Sequence, residues 1–112
     1  MGEKLNTPKE AYRFFNCRYF GGRLPDIPVS WRQESKMPKK RIIAVAELKD
    51  HIPLRILLNS KYKDAPVIWM QYLIHEMVHV QQARLPSKQA HGHKFQRRMK
   101  QLANAGAFNR MW

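Results

Sequence analysis

The chain has 112 residues, of which 44% are hydrophobic and 26% are charged. This length suits one domain around one hydrophobic core, and this composition excludes wholesale disorder. Lysine and arginine together number 21 against 8 acidic residues, which gives a net charge of +13 at neutral pH. A surface this basic attracts polyanions, so we expect nucleic acid as a partner, with an anionic membrane surface as the weaker candidate.

The first half of the chain predicts a helix followed by a small sheet. Thr7 is placed to cap a helix that begins at Pro8, with Glu10 where a capping box needs its carboxylate. Gly21-Gly22 is expected to end this helix. Apolar runs then predict three strands, at residues 29–31, 42–48 and 53–59. We expect the last two strands to form a hairpin.

Two further helices are predicted after the sheet. The first opens with a proline in its first turn and runs to about Arg84 without glycine. Because it is apolar on most faces, we expect it to be central and buried. The second runs from His93 or Lys94 to Ala105, and its apolar stripe consists of Phe95, Met99 and Leu102. The order helix, strands, helix, helix predicts an α+β fold with a small, mostly antiparallel sheet, formed by a single domain over residues 1–112.

A metal-binding pattern lies inside the predicted buried helix. His75-Glu76-Met77-Val78-His79 has the spacing H-E-x-x-H, which arises by chance in about one in a hundred chains of this composition. Residues four apart lie on one face of a helix, so both imidazoles can bind one Zn²⁺. Glu76 lies beside the metal in this arrangement, where it can take a proton from a metal-bound water. A buried helix has little reason to carry these polar residues unless something satisfies them, which favours a metal site over incidental surface residues.

A catalytic zinc needs a third protein ligand and an open position. No carboxylate follows Glu76, which excludes a ligand of that kind from a later helix. Gln82 and Leu85 stand where a metzincin needs Gly and His, so that scheme fails as well. His91 and His93 remain as the downstream candidates, and these residues alone do not decide between them.

Cys17 is the only cysteine, which excludes an intramolecular disulfide and fits a reducing compartment. We expect Cys17 in the core and His51 in a solvated turn, so neither is favoured as a ligand. Tyr72 is also expected to be a core residue. The N-terminus has no apolar stretch, and no apolar run approaches the roughly 20 residues of a membrane span. These features predict an intracellular, cytoplasmic protein.

Three segments of the chain occur in an order that is typical of one protein family. They are Phe15-Asn16-Cys17-Arg18-Tyr19-Phe20-Gly21-Gly22-Arg23-Leu24-Pro25, His75-Glu76-Met77-Val78-His79 and His91-Gly92-His93-Lys94-Phe95. They are similar to the "N-x-x-Y-F-x-x-x-L", "H-E-x-x-H" and "H-G-x-x-F" segments of the SprT-like zinc metallopeptidases. That family includes the Spartan DNA–protein crosslink proteases. The likeness spans nearly the whole chain, which makes it more specific than the zinc motif alone.

The resemblance implies a zincin-like metalloprotease domain with Zn²⁺ as its cofactor. The family's third ligand aligns with His91, so the implied metal ligands are His75, His79 and His91. His93 is then not a metal ligand, and it either has no role in the site or contacts the ligands from outside the coordination sphere. Glu76 becomes the general base that acts on the zinc-bound water of an endopeptidase. The implied substrates are DNA-associated or DNA-crosslinked proteins, and we expect a monomer without the cysteine-rich zinc ribbon that many members carry.

DNA binding, which would place the protein at the nucleoid or in a eukaryotic nucleus, is expected to come from the basic surface of the domain itself. The densest basic groups consist of Lys39, Lys40, Arg41, Arg97, Arg98 and Lys100. Trp31 and Trp112 could stack on bases if they are exposed, whereas Trp69 is expected in the core. The alternative that stays open is a non-enzymatic, basic DNA-binding module with a structural zinc site. The four ligands of that site would be His75, His79, His91 and His93.

Overall fold

The computed structural model describes residues 7–39, 41–83 and 92–107. These residues form three helices, which are α1 (Pro8–Tyr19), α2 (Pro66–Gln81) and α3 (His93–Asn104). They also form three strands, which are β1 (Val29–Arg32), β2 (Ala44–Lys49) and β3 (Ile52–Asn59), and short 3₁₀ turns at Glu34–Lys36 and Ser60–Tyr62. The predicted α+β class and the order of its elements are confirmed. None of these helices is long and apolar enough to span a bilayer.

Helix α1 begins with the predicted capping box. The Thr7 hydroxyl accepts a hydrogen bond from the Glu10 amide at 3.1 Å, and the Glu10 carboxylate accepts one from the Thr7 amide at 3.1 Å. These bonds satisfy amide groups that the start of a helix leaves without a partner. Gly21 and Gly22 follow the helix with φ angles of 63° and 69°, a conformation that glycine adopts without steric cost. The helix therefore ends where its sequence predicts.

The described strands form one sheet in the order β1–β3–β2. Strands β2 and β3 form the predicted antiparallel hairpin. Asp50 and His51 connect them with φ angles of 51° and 66°, which suit a two-residue turn whose twist matches that of the strands. Strand β1 lies parallel to β3 on the other side, so the longer pairing of the sheet is antiparallel and the shorter one is parallel. Strand β2 is consequently an edge strand.

The hydrogen bonds of the hairpin show which groups of β2 face the open edge. The Asn59 amide donates to the Ile43 carbonyl at 2.8 Å, so these two residues form a bonded pair of the antiparallel ladder. Bonded and non-bonded pairs alternate along such a ladder. Ala44 and Ala46 therefore belong to non-bonded pairs. Their backbone N–H and C=O groups point away from β3.

Helix α2 lies at the centre of the domain, as its sequence predicts. It contacts α1, α3, β2 and β3. Its fully buried side chains include Leu73, Ile74, Met77 and Val78. Trp69 is 3% exposed, which confirms its expected place in the core. Its ring packs edge-to-face against Trp31 at 5.2 Å, so Trp31 is half-buried rather than fully open to a base.

Two residues that were expected in the core are exposed instead. Cys17 on α1 is exposed, and Tyr72 on α2 is 43% exposed. Helical periodicity predicts which residues share a face, but it does not predict which face the rest of the molecule covers. Tyr72 lies three residues before His75 on the same side of α2. The exposure of Tyr72 shows that this side of the helix is open next to the predicted metal ligands.

Candidate metal centre

Two histidines and a glutamate on α2 form a cluster that could hold a metal ion. His75 and His79 lie one helical turn apart, with ring centroids 5.0 Å from each other. One ligand atom from each of His75, Glu76 and His79 lies within 4.8 Å of the others. Imidazole nitrogen and carboxylate oxygen are donors that zinc accepts, and both imidazoles are only half-buried. The donor set and its exposure therefore fit a metal ion.

Glu76 is held between α2 and the edge strand of the sheet. Its Oε1 accepts a hydrogen bond from the Ala46 amide at 2.9 Å. Its Oε2 lies 3.9 Å from Nε2 of His75. Burial disfavours the charged form and raises the pKa of Glu76 to about 7, although the hydrogen bond from Ala46 acts in the opposite direction. A carboxyl group that titrates near neutral pH can both take up and release a proton.

Phe95 supports both imidazoles from α3. Its ring centroid lies 4.8 Å from that of His75, at an interplanar angle of 65°. The same ring stacks on His79, with centroids 4.5 Å apart and an angle of 28°. The sequence placed Phe95 only in the apolar stripe of the last helix and missed this contact. The signal that could have indicated this contact was the position of Phe95 at the end of His91-Gly92-His93-Lys94-Phe95, the segment that resembles the family's H-G-x-x-F.

None of the other ligand candidates in the described part of the chain belongs to this cluster. His93 is the first residue of α3 and is exposed. His51 is exposed in the hairpin turn, as expected, with Nδ1 2.9 Å from the Ala83 carbonyl oxygen. Cys17 is exposed on α1. His91, the ligand that the family resemblance implies, lies outside the described residues, so its role stays a prediction.

Five of the six basic residues predicted to contact DNA are described, and they fall into two groups. The exposed group consists of Lys39, Arg41, Arg97 and Lys100. Arg98 is half-buried, donates to the Tyr19 carbonyl and to Oε1 of Gln81, and lies 4.9 Å from the Phe20 ring. Burial lowers the pKa of Arg98. Arg98 therefore joins the three described helices. Lys40, and Trp112 as a candidate for stacking on bases, lie outside the described residues.

The fold and the site together define a small α+β domain with an H-E-x-x-H cluster on its central helix. The chain belongs to the SprT-like family, which it matches over residues 9–111. Family membership and the cluster indicate a metallopeptidase fold. No curated protein and no solved structure matches the chain. The resemblance carried by the three sequence segments is thus confirmed at the level of the family.

Proposed function

We propose that the chain is a zinc-dependent endopeptidase that cleaves proteins associated with DNA or crosslinked to it. The observation that carries the proposal is the position of Glu76, a buried carboxylate that lies beside two imidazoles and accepts a hydrogen bond from β2, an edge strand of the described sheet. An H-E-x-x-H peptidase needs a metal site, a base and a surface for an extended substrate. Membership of the SprT-like family supports the same activity.

In the proposed site, His75 and His79 would hold Zn²⁺ together with His91, the third ligand that the family resemblance implies. Bound zinc supplies a Lewis acid that activates water and polarises a peptide carbonyl. Glu76 accepts a proton from the attacking water at Oε2 and later delivers it to the leaving amine. Oε1 stays bonded to the Ala46 amide during this cycle.

The substrate is proposed to bind as an extended strand along β2. The outward N–H and C=O groups of Ala44 and the outward C=O of Ala46 can pair with a peptide backbone. Because the Ala46 amide bonds Glu76, a peptide paired at this point of the edge lies beside the proposed base. Among the described strands, β2 lies at the edge of the sheet next to Glu76, which is where this proposal needs an edge.

The charge of the chain supports a substrate that is bound to DNA. The net charge is +13, and no acidic residue follows Glu76. Exposed basic residues occur on both sides of the site in sequence, at Lys39, Arg41, Arg97 and Lys100. Contacts between such residues and phosphates would hold the enzyme on DNA, where its protein substrates are concentrated.

The proposal is tested with wild type, Glu76→Gln and Glu10→Gln side by side. Zinc content is measured on each protein, and cleavage of a DNA-binding protein is measured with and without DNA. We expect Glu76→Gln to retain zinc and to lose about 10²–10⁴-fold in cleavage rate, because glutamine cannot accept the proton. Glu10→Gln is the matched control, since glutamine also serves in a capping box.

Two outcomes would contradict the proposal. Undiminished cleavage by Glu76→Gln would exclude Glu76 as the base. A wild-type protein that binds zinc and DNA without cleaving any protein would support the non-enzymatic module instead. In that case His93→Ala should lose the metal, because a structural site would need His93 as its fourth ligand.

A further inference from the structure

The backbone amide of Ala46 makes a bond that the sheet itself does not require. An outward N–H on an edge strand ordinarily faces solvent. The outward N–H of Ala46 instead donates to Oε1 of Glu76 at 2.9 Å, across 30 residues of sequence. This bond joins the outward side of β2 to the helix that carries both imidazoles.

The bond restricts the orientation of the Glu76 carboxylate. A glutamate side chain has several rotatable bonds, so an unrestrained carboxylate samples several orientations. With Oε1 held by Ala46, Oε2 is the oxygen that lies towards His75, 3.9 Å from its Nε2. Glu76 is also only 9% exposed, which limits the space for other orientations.

We propose that the Ala46 amide is a positioning group for Glu76, which fixes Oε1 and thereby directs Oε2 towards the imidazoles. The inference rests on the proposed peptidase function, because the proton transfer at Oε2 belongs to that function. Displacement of a reacting group by about 1 Å can cost about 10²-fold in rate, so the orientation of this carboxylate bears directly on turnover. Ala46 acts through Glu76 and is not itself a catalytic residue.

The first test needs neither metal nor turnover. Hydrogen exchange of the Ala46 amide is followed by NMR in metal-free wild type, Glu76→Gln and Glu76→Ala. A hydrogen-bonded amide is protected from exchange, so we expect Ala46 to exchange at least about tenfold faster in Glu76→Ala. Protection should persist in Glu76→Gln, whose Oε1 still accepts the bond. The outward amide of Ala44 is the matched control and should exchange equally in all three proteins.

Equal exchange of the Ala46 amide in wild type and Glu76→Ala would overturn the proposal. So would faster exchange of Ala44 and Ala46 together, because that result would show a loosened edge strand rather than a lost bond. Faster exchange of Ala46 alone supports the proposal.

The second test separates positioning from folding and from substrate binding. Ala46→Pro removes the N–H and spares the ladder to β3, because this N–H points away from β3. We expect kcat to fall by about 10–100-fold at unchanged zinc content, and the change in KM to be smaller because the Ala46 carbonyl that pairs with substrate is kept. Ala44→Pro removes the neighbouring outward N–H, which faces the substrate and not Glu76, so its effect should appear in KM. An unchanged kcat in Ala46→Pro, or a loss confined to KM, would overturn the proposal.

Failure of this inference can be told apart from failure of the proposed function. If wild type cleaves no protein, the peptidase function fails, and the exchange data still decide whether Ala46 holds Glu76. If wild type cleaves and Glu76 does not protect the Ala46 amide, only the positioning role fails.

Discussion

Phe95 links α3 to both imidazoles of the candidate metal centre, with ring centroids 4.8 Å and 4.5 Å away. We expect Phe95→Leu, which keeps an apolar side chain but removes the planar contact, to weaken zinc binding by about 10–100-fold. Competition with a chromophoric chelator measures this affinity. Leu102→Met is the control, because Leu102 is buried in the same helix and the swap nearly conserves volume. Equal zinc affinity in Phe95→Leu and wild type would contradict a supporting role.

Tyr12 gives the domain a defined dependence of stability on pH. Its hydroxyl donates to the Pro25 carbonyl at 2.6 Å, and burial, with a smaller contribution from Asp26, raises the pKa of Tyr12 to about 12. In the unfolded chain the Tyr12 hydroxyl loses its proton near pH 10, whereas in the folded protein it does so near pH 12. The stability that Tyr12 contributes is therefore intact below pH 10 and is lost as the pH rises towards 12. We expect Tyr12→Phe to be about 1 kcal/mol less stable at neutral pH.

The stability difference between wild type and Tyr12→Phe should then shrink between about pH 10 and 12, because only wild type loses stability by ionising Tyr12 in the unfolded chain. Denaturant unfolding of both proteins across this range measures the difference, and the ionisation of lysines cancels in the comparison. If the free energies of unfolding of wild type and Tyr12→Phe differed by a constant amount from pH 8 to 12, this pH dependence would be contradicted.

Sequence reasoning predicts the chemistry of the site better than its surroundings. The H-E-x-x-H spacing determines which side chains share a helix face, and so it predicts His75 and His79 together. The contact of Phe95 with them depends on how α3 packs on α2, and the position of Phe95 in the H-G-x-x-F segment is a local signal that does not specify this packing. The Ala46 amide escapes prediction altogether, because every residue except proline carries a backbone N–H.

At the level of elements, Arg98 ties α3 to the other two helices through the Tyr19 carbonyl and Oε1 of Gln81. We expect Arg98→Ala to lower the free energy of unfolding by about 1–3 kcal/mol, because these charge-assisted hydrogen bonds are lost. Arg97→Ala, at an exposed neighbouring position, should stay within about 0.5 kcal/mol of wild type. Urea denaturation compares the three proteins, and equal stability of the two variants would contradict this role.

The elements themselves follow from local signals, and their arrangement follows only partly. The capping box at Thr7 and Glu10 predicts the start of α1, and the short turn between two apolar runs predicts the hairpin of β2 and β3. The place of β1 beside β3 could not be predicted, because parallel pairing joins strands that are distant in sequence. Strand β1 also contacts α1, and this tertiary contact is likewise not visible in a local pattern.

For the whole molecule, the uneven distribution of charge supports a polyanionic partner. No acidic residue follows Glu76, and α3 exposes Arg97 and Lys100. We expect log K for a short DNA duplex to fall linearly with log salt, and Arg97→Ala to reduce the slope by about 0.9 if one phosphate contact is lost. Fluorescence anisotropy at several salt concentrations measures the slope. DNA affinity that does not change with salt would contradict an electrostatic partner surface.

The fold class and the family of the whole molecule could be predicted because three sequence segments occur together in the family's order. No single segment would have been specific enough. The third metal ligand is the exception. Sequence reasoning narrows it to His91 or His93, and the family resemblance favours His91. His93 is exposed at the start of α3 and lies outside the described metal cluster.

Zinc affinity of His91→Ala and His93→Ala, measured against wild type by chelator competition, decides how the metal is held. Three imidazoles with one open coordination position require that His91→Ala loses tight zinc binding, as His75→Ala should, while His93→Ala keeps the wild-type affinity. Retained zinc affinity in His91→Ala would show that this imidazole is not a ligand, and the catalytic site proposed for the chain would then be wrong.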